Sequence, residues 1–352
     1  MKPFSYRAQP MRVIFGAGAV RDAPDEIREL GLQRVLMVAG ARQVEIARSL
    51  SDALGDTSVG VHAEAKQHVP VEAAQAAIGV ARSLGADGIV AIGGGSTVGL
   101  AKAIARELGT PIIAVPTSFA GSEMTSVWGQ TEDGEKTTGR DPKVLPVSVI
   151  YDPDLVASLP TELAVTSGFN AIAHAVEGLY APDASPIVSL MAADGIRALV
   201  DALPRIVASP SDLGPRSDAL YGAWLCGSVL GATTMGLHHK LCHVLGGTFG
   251  LPHSETHTVL LPYVLAFNAP AIPDAMAIIR DATGFAEPAR DLRQLALDLG
   301  APANLWGIGL REGDLAQAVQ LATASPYANP RAASAADIRE ILLAAVTGRP
   351  IR

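Results

Sequence analysis

The sequence predicts an α/β domain over residues 1–158 followed by an all-α domain over residues 159–352. The chain has 352 residues, and a single core rarely grows beyond about 250 to 300 residues, so two domains are expected. Short runs rich in β-branched residues alternate with amphipathic helical patterns only in the first half. After Leu159 these runs disappear, and long segments rich in Ala and Leu follow a join marked by Pro153 and Pro160.

Five apolar runs predict the strands of the first domain. Each is short and is bounded by Gly or Pro on at least one side. They are RVIFG (12–16), RVLMVAG (34–40), GIVAIGGG (88–95), PIIAVPTS (111–118) and PVSVIYDP (146–153). Helical patterns such as VEIARSLSDALG and VEAAQAAIGVARSLG lie between most of them. Strands that alternate with helices in this way form a parallel sheet that is covered on both faces.

Seven segments predict the helices of the second domain. They are rich in Ala and Leu and are separated by Pro or Gly, and they cover residues 161–179, 186–203, 211–230, 237–245, 255–267, 287–299 and 335–347. Ser211 and Ser334 are the expected N-caps of two of these helices, because a Ser hydroxyl accepts a hydrogen bond from an N–H of the first turn.

Charge and composition argue against several classes of protein. The 35 acidic residues outnumber the 27 basic ones and no Lys/Arg cluster occurs, so a nucleic-acid or anionic-membrane surface is not expected. The N-terminal stretch lacks the apolar core of a signal peptide, and no apolar run is long enough to span a bilayer. Two cysteines, Cys226 and Cys242, are too few for a disulfide framework, which fits a cytoplasmic protein.

A glycine-rich turn follows the third apolar run, in AIGGGSTVGLAKAIA. Three glycines let backbone N–H groups approach an anion, and the following helix adds its positive end, so the pattern indicates a pyrophosphate site. A tight turn without a ligand is the competing interpretation, because the motif is not G-x-G-x-x-G. The next run also ends in a small polar loop, and ligands bind open α/β sheets at the carboxyl ends of adjacent strands. The expected cofactor-binding residues of this Rossmann-like domain are Gly40, Gly93, Gly94, Gly95, Ser96, Thr97, Thr117, Ser118 and Ser122.

The second domain contains two histidine-rich stretches, GFNAIAHAVEG and GLHHKLCHVLGGTFGLPH. Asn170 with His174, and His239 with His243, are four residues apart, so each pair lies on one side of a helix. Imidazoles bind divalent metals, and without a metal they donate hydrogen bonds or move protons near neutral pH. These residues are therefore candidates for a metal or acid/base site.

His253 follows a Pro, where a loop can turn its ring back toward the other histidines. Structural histidines that are satisfied within the core are the alternative interpretation of the whole group. Residue types alone do not rank His238 and His257 below the other candidates.

The order and spacing of these motifs resemble the iron-containing (group III) alcohol dehydrogenase family, nearly from end to end. The resemblance implies a dehydroquinate synthase-like fold, in which an α/β domain binds NAD(P) and a helical domain holds a divalent metal through one Asp and three His. The stretches GRDPKVLP, GFNAIAHAVE, GLHHKLCHVLGGTF and PHSETHTVLLP look most like one branch of that family, the maleylacetate reductases.

The resemblance places the four metal-ligand positions on Asn170, His174, His239 and His253, and it makes His243 a histidine close to the nicotinamide that does not bind the metal. Asn170 stands where the alcohol dehydrogenases have an Asp. A neutral amide binds a dication more weakly than a carboxylate does, and it does not repel a dianionic substrate. A required metal is therefore not expected. A vestigial metal site that only keeps its shape is the alternative.

The branch implies reduction of 2-maleylacetate to 3-oxoadipate by a homodimer, late in the bacterial degradation of aromatic and chloroaromatic compounds. Hydride added to C2 of this conjugated enone places the charge on the C4 oxygen, so the site must supply a donor for that oxygen and a proton for C3. His174, His239 and His253 are the expected polar wall of this site, and His243 is the expected proton donor.

The candidate substrate-binding residues are Asn170, Lys143, Lys240 and Arg331. The expected cofactors are NADH and NADPH, because Ala39 and Gly40 stand where NAD-selective members of the family carry an Asp that would repel a 2′-phosphate.

Three other activities remain open. One is a metal-dependent alcohol dehydrogenase that acts on a small alcohol. Another is a lyase like dehydroquinate synthase, which shares the fold but requires tightly bound Zn and uses NAD transiently. Asn170 argues against both, since each depends on a firmly held metal. The third is a nucleotide-binding protein without catalysis, which would bind NADH and turn nothing over.

Overall fold

The computed structural model describes residues 4–132 and 135–351. The described residues divide into two compact units, of which one runs from Gln9 to Leu159 and the other comprises residues 4–8 and 160–351. Within the described residues, no helix combines the length and apolar character needed to cross a bilayer.

The first unit contains eight strands and four α-helices in the described residues. The strands are β1 (Arg12–Phe15), β2 (Val35–Ala39), β3 (Ser58–His62), β4 (Gly88–Gly93), β5 (Ile112–Pro116), β6 (Val127–Glu132), β7 (Glu135–Arg140) and β8 (Ser148–Tyr151). The helices are α1 (Ala23–Glu29), α2 (Val44–Leu54), α3 (Val71–Ser83) and α4 (Gly95–Leu108). Six strands form one sheet in the order β1-β8-β5-β4-β2-β3, and all its pairs are parallel. Strands β6 and β7 form a separate antiparallel hairpin.

Both faces of the parallel sheet are covered, as its continuous apolar strands require. Successive side chains of a strand point to opposite faces. Val35 and Met37 accordingly belong to a core cluster with residues of α1 and α2, whereas Leu36 and Val38 pack with residues of α3 and α4. The α/β class predicted for this half is confirmed.

The second unit is helical. Its helices are α5 (Thr161–Leu179), α6 (Pro186–Ala208), α7 (Leu213–Ala232), α8 (Leu237–Phe249), α9 (His253–Asn268), α10 (Pro273–Thr283), α11 (Pro288–Asp298), α12 (Leu315–Thr323) and α13 (Ala335–Thr347). Helix α5 is buried from Ala164 to Leu179 and packs against α6, α7 and α9. A second core lies among α8, α9, α12 and α13. The all-α class predicted for this half is confirmed.

Several details differ from the sequence prediction. Strand β3, the hairpin and helices α10 and α12 were not predicted, because their short or mixed patterns carry little periodic signal. The expected N-cap Ser211 is wrong, since helix α7 is capped by Asp212, whose carboxylate accepts from the N–H of Gly214 at 2.9 Å. Ser334 caps α13 as expected, accepting from the N–H of Asp337.

Candidate active site

The predicted cofactor-binding loops lie at one edge of the parallel sheet. Strands β4 and β5 are neighbours, and the N–H of Thr117 donates to the carbonyl of Gly93 at 3.1 Å. A Cβ placed on Gly94 would lie 2.7 Å from Oγ of Ser118, so the two loops approach closely. Only a residue without a side chain fits there unless the Ser moves.

The loop after β2 joins this group, because β2 is the other neighbour of β4. A Cβ on Gly40 would lie 3.7 Å from Oγ1 of Thr97, in the first turn of α4. A Cβ on Gly93 would collide with the Thr97 side chain. Helix α4 begins at Gly95 with no side chain capping its N-terminus, and Ser122 opens a short 3₁₀ turn in the second loop. These contacts bring together six of the predicted residues, Gly40, Gly93, Gly94, Thr97, Thr117 and Ser118. The contacts of all nine with a cofactor stay a prediction.

Lys102 of α4 is hydrogen-bonded to the segment that follows β5. Its side chain is fully buried, and its ammonium donates to the carbonyl oxygens of Ser122, Thr125 and Val127 at 2.7 to 2.8 Å. Burial lowers the pKa of Lys102 to about 7, and the negative charge of Glu123 opposes that shift. This residue was missed at the level of sequence; its signal is a lone Lys among the apolar residues of KAIA.

In the helical unit, six histidine rings from three helices form one cluster. His174 of α5 lies 5.2 Å from His239 of α8, between ring centroids. His257 of α9 lies 4.8 Å from His239 and 6.1 Å from His174. The ring of His243 lies 6.1 Å from that of His239, between centroids. The ring of His253 lies 4.4 Å from that of His257. The predicted convergence of His174, His239, His243 and His253 is therefore observed as a chain of ring contacts.

Several polar atoms of this cluster are buried and have no hydrogen-bond partner in the structure. They are Oδ1 of Asn170, Nδ1 of His174, Nε2 of His239, Nε2 of His257 and Nδ1 of His238. A buried polar atom without a partner costs about 1–3 kcal/mol, so a concentration of them indicates a place where a ligand or water is bound.

Glu177 fixes the orientation of His239. Its Oε2 accepts from Nδ1 of His239 at 2.5 Å, and its Oε1 accepts from the backbone N–H of His238 at 2.9 Å. Burial would raise the pKa of Glu177, but the hydrogen bonds from Nδ1 of His239 and from the backbone N–H of His238 hold that pKa below its usual value. The ionised carboxylate therefore caps the first turn of α8 and leaves Nε2 of His239 as the unpartnered ring atom.

Glu177 was also missed at the level of sequence. Its signal is a charged residue inside the apolar helix AIAHAVEGL, three positions after His174, where burial demands a partner.

His238 and His257 form a second buried pair. Nε2 of His238 lies 3.0 Å from Nδ1 of His257, within hydrogen-bond distance. Burial lowers the pKa of His238 to about 3 and that of His257 well below its usual value, so both rings are neutral at neutral pH. Cys242 lies beside them, and the three residues bring potential metal-ligand atoms within 4.8 Å of one another.

His243 and His253 differ from the rest of the cluster because both are only partly buried. His253 is the first residue of α9, with Pro252 as its N-cap, and not part of a preceding loop as expected. The helix thus begins two residues earlier than predicted, and it places His253 and His257 on one side, four residues apart. Burial lowers the pKa of His174 well below its usual value, with further lowering from His239, so this ring is neutral.

Three of the candidate substrate-binding residues are basic, namely Lys240, Arg331 and Lys143. Nζ of Lys240 donates to Oγ of Ser325 at 2.7 Å. Exposed Arg331 donates to the carbonyl of Phe267 and lies over its ring, 4.0 Å from the centroid. Lys143 lies in the α/β unit and is exposed.

The two units define a class of protein, the two-domain dehydrogenases that combine a parallel-sheet nucleotide-binding domain with an all-helical domain. The family model for iron-containing alcohol dehydrogenase matches residues 10–153, and the model for the C-terminal part of the Fe-containing alcohol dehydrogenase family matches residues 164–346. The chain belongs to the iron-containing alcohol dehydrogenase family.

Relatives in this family are similar over their whole length. A maleylacetate reductase of Sphingobium indicum is 54% identical over 99% of this chain and 98% of its own. The crystal structure of maleylacetate reductase from Agrobacterium tumefaciens has a TM-score of 0.94 at 48% identity, with 99% of each chain covered. That of maleylacetate reductase from Rhizobium sp. strain MTP-10005 has a TM-score of 0.94 at 47% identity, with 100% of each chain covered.

Proposed function

We propose that this chain is a maleylacetate reductase, which reduces the C=C bond of 2-maleylacetate to 3-oxoadipate with NADH or NADPH. The observation that carries the proposal is 54% identity to a protein of that name over 99% of the chain. The cluster of unpartnered histidine atoms supports it, since a conjugated keto-diacid offers many oxygen acceptors to such donors.

The reaction consumes one substrate molecule, one reduced nicotinamide and one proton. A bound reduced nicotinamide would supply hydride to C2. The electrons of the C2–C3 double bond would then move toward the ketone, which leaves an enolate with its charge on the C4 oxygen. A proton then reaches C3, which gives 3-oxoadipate and the oxidised cofactor. The protein must lower the energy of the enolate and supply the proton.

His239 is the residue we assign to the enolate oxygen. Glu177 accepts from its Nδ1, so the positive charge that His239 carries when it donates from a protonated Nε2 is balanced within the site. His174 and His253 complete the polar wall. His243 is the proposed proton donor to C3, because it is only partly buried and can regain its proton from solvent after each turnover.

The substrate carboxylates require further donors. The amide of Asn170, next to the polar wall on α5, is proposed as one of them. Lys240, Arg331 and Lys143 stay candidates for the other donors. The first two already have protein partners, and the third is exposed.

Asn170, His174, His239 and His253 have donor atoms of the kind that would hold a divalent cation, and buried Asn170 Oδ1, His174 Nδ1 and His239 Nε2 lack partners in the structure. Such a cation would polarise a substrate oxygen as a Lewis acid. None of the four side chains is an anion, and the carboxylate of Glu177 is taken up by His239 and by backbone N–H groups. We therefore propose that turnover does not require a metal.

For the cofactor, we propose that the loops after β2, β4 and β5 bind NADH and NADPH. No carboxylate follows Ala39 at the end of β2, where it would repel a 2′-phosphate, and Arg42 lies nearby in the chain. We further propose a homodimer in the cytoplasm that acts late in aromatic or chloroaromatic degradation, without nucleic-acid or membrane partners. The acidic composition and the scarcity of cysteine support this location.

The test is an assay of the purified protein with 2-maleylacetate and either NADH or NADPH, before and after chelation, with metal content measured on the same sample. We expect turnover with both cofactors, unchanged by the chelator, and 3-oxoadipate as product. Oxidation of simple alcohols that disappears on chelation, with no turnover of 2-maleylacetate, would establish the alcohol dehydrogenase alternative instead. An overwhelming preference for NADH would contradict only the cofactor proposal.

A further inference from the structure

His257 occupies the middle of the histidine cluster. It is fully buried, and its ring lies within 4.8 Å of the rings of His238, His239 and His253, between centroids. Its Nε2 has no partner in the structure. Neither the metal-ligand positions nor the expected proton donor includes this residue, so its burial among polar rings needs an explanation.

The hydrogen bond to His238 allows only two arrangements of protons for a pair of neutral rings. In the first, His238 donates from Nε2 to Nδ1 of His257, and the remaining proton of His257 is on Nε2. In the second, His257 donates from Nδ1, its Nε2 is a bare acceptor, and the proton of His238 is on Nδ1.

The unpartnered atoms distinguish these arrangements. Nδ1 of His238 is buried without a partner, so the second arrangement leaves an N–H buried there without an acceptor. A buried N–H without an acceptor is rarer in proteins, and costs more free energy, than a buried acceptor without a donor. The first arrangement moves the unpaired N–H to Nε2 of His257, next to His239 and His253, where an incoming ligand can accept it.

The carboxylate and ketone oxygens of the proposed substrate are acceptors only, so the first arrangement suits that substrate. His239 already has a balancing carboxylate in Glu177 and is suited to the oxygen on which charge develops. His257 is hydrogen-bonded to an imidazole and not to a carboxylate, which suits a ligand that carries its own charge throughout the reaction. We propose that His257 binds a carboxylate of the substrate through Nε2–H, and that His238 is the positioning residue that fixes this tautomer. This inference rests on the proposed function.

Two substitutions of similar polarity test the role of His257. In His257→Gln the amide N–H₂ lies near the former Nε2 and can still donate to the substrate. In His257→Asn the shorter amide lies near the former Nδ1, where it meets His238 and does not reach the substrate. We expect KM for 2-maleylacetate to rise about tenfold or more in His257→Asn and to stay within about threefold in His257→Gln. In both, kcat stays within about threefold and KM for NADH is unchanged.

His238→Leu removes the donor to Nδ1 of His257, and His238→Gln keeps one. We expect a rise in KM for 2-maleylacetate in the Leu variant that the Gln variant largely reverses, which a role in packing alone would not produce.

Equal KM values in the two His257 variants would overturn the inference, as would a loss confined to kcat. The inference would also be overturned if the purified protein held a stoichiometric metal that is lost in His238→Gln and kept in Asn170→Ala. Such a metal would be bound by the nitrogen atoms of His238 and His257 that are assigned here to their hydrogen bond. A wild-type protein that does not reduce 2-maleylacetate would instead refute the proposed function, whatever the variants do.

Discussion

At the scale of single residues, the partner of a histidine decides what its ring can do. His239 and His257 are both buried in the same cluster, yet one faces a carboxylate and the other a neutral imidazole. Nδ1 of His239 donates to the carboxylate of Glu177, whereas burial lowers the pKa of His257 and keeps its ring neutral, so that it acts only as a donor or an acceptor. The same side chain thus has two different hydrogen-bond partners within one cluster.

His243→Ala tests the proposed proton donor. Removal of a general acid typically costs two to four orders of magnitude, so we expect kcat to fall by about a hundredfold or more while KM for the substrate changes little. Steady-state kinetics with 2-maleylacetate and NADH measure this. Near-normal turnover would remove His243 from the role and leave His239 or His253 as the source of the proton.

At the scale of elements, the site depends on short approaches between loops at the carboxyl edge of the sheet. Gly93 ends β4 against the Thr97 side chain of α4, and Gly94 lies against Ser118 of the loop after β5. Lys102 fixes that second loop from within α4. The predicted cofactor loops are therefore joined by direct contacts inside the α/β unit.

Gly93→Ala should displace the start of α4, because the added Cβ would collide with the Thr97 side chain. We expect the Kd for NADH, measured by fluorescence titration, to rise about tenfold or more. Gly79→Ala is the matched control, since a Cβ added to this glycine of α3 would meet nothing within 4 Å and should leave the Kd unchanged. Wild-type affinity in Gly93→Ala would show that the glycine turn does not contact the cofactor.

At the scale of the whole molecule, the buried histidines link stability to pH. The pKa of His238 falls from 6.5 to about 3 on burial, and those of His174 and His257 are also lowered well below 6.5. Below about pH 6.5 the unfolded chain binds protons that the folded chain does not, so the free energy of unfolding falls as the pH falls. As the pH falls below about 6.5, each of these histidines lowers the free energy of unfolding by up to about 1.4 kcal/mol per pH unit, until the pH reaches the pKa of that histidine in the folded protein.

Denaturant unfolding at pH 7.5, 6.5 and 5.5 measures this linkage. We expect little change between the first two values and a marked loss of stability at pH 5.5. His238→Gln removes one of the titrating groups and should show a shallower loss over the same range. A free energy of unfolding that is constant down to pH 5.5 would contradict the neutral burial of these rings.

Local patterns in the sequence determined the fold class, the glycine turn and the pairing of Asn170 with His174 on one helix face. Apolar runs that form strands, glycines in a turn and pairs of residues four positions apart depend only on neighbours in the chain. The structure contains each of these predicted features. Edge strand β3 and helix α12 were missed because their patterns are short, and the start of α9 was predicted too late because a Pro followed by a His is equally compatible with a loop.

What only the tertiary structure decided is which polar groups meet. Glu177 reaches His239 across 62 residues of chain, Lys102 reaches Val127 across 25, and His238 meets His257 on a different helix. These contacts depend on how helices and loops pack, and no local spacing encodes them. The sequence therefore supplied the candidate groups, while packing assigned their tautomers and partners, because a buried polar group must find its partner wherever the fold places one.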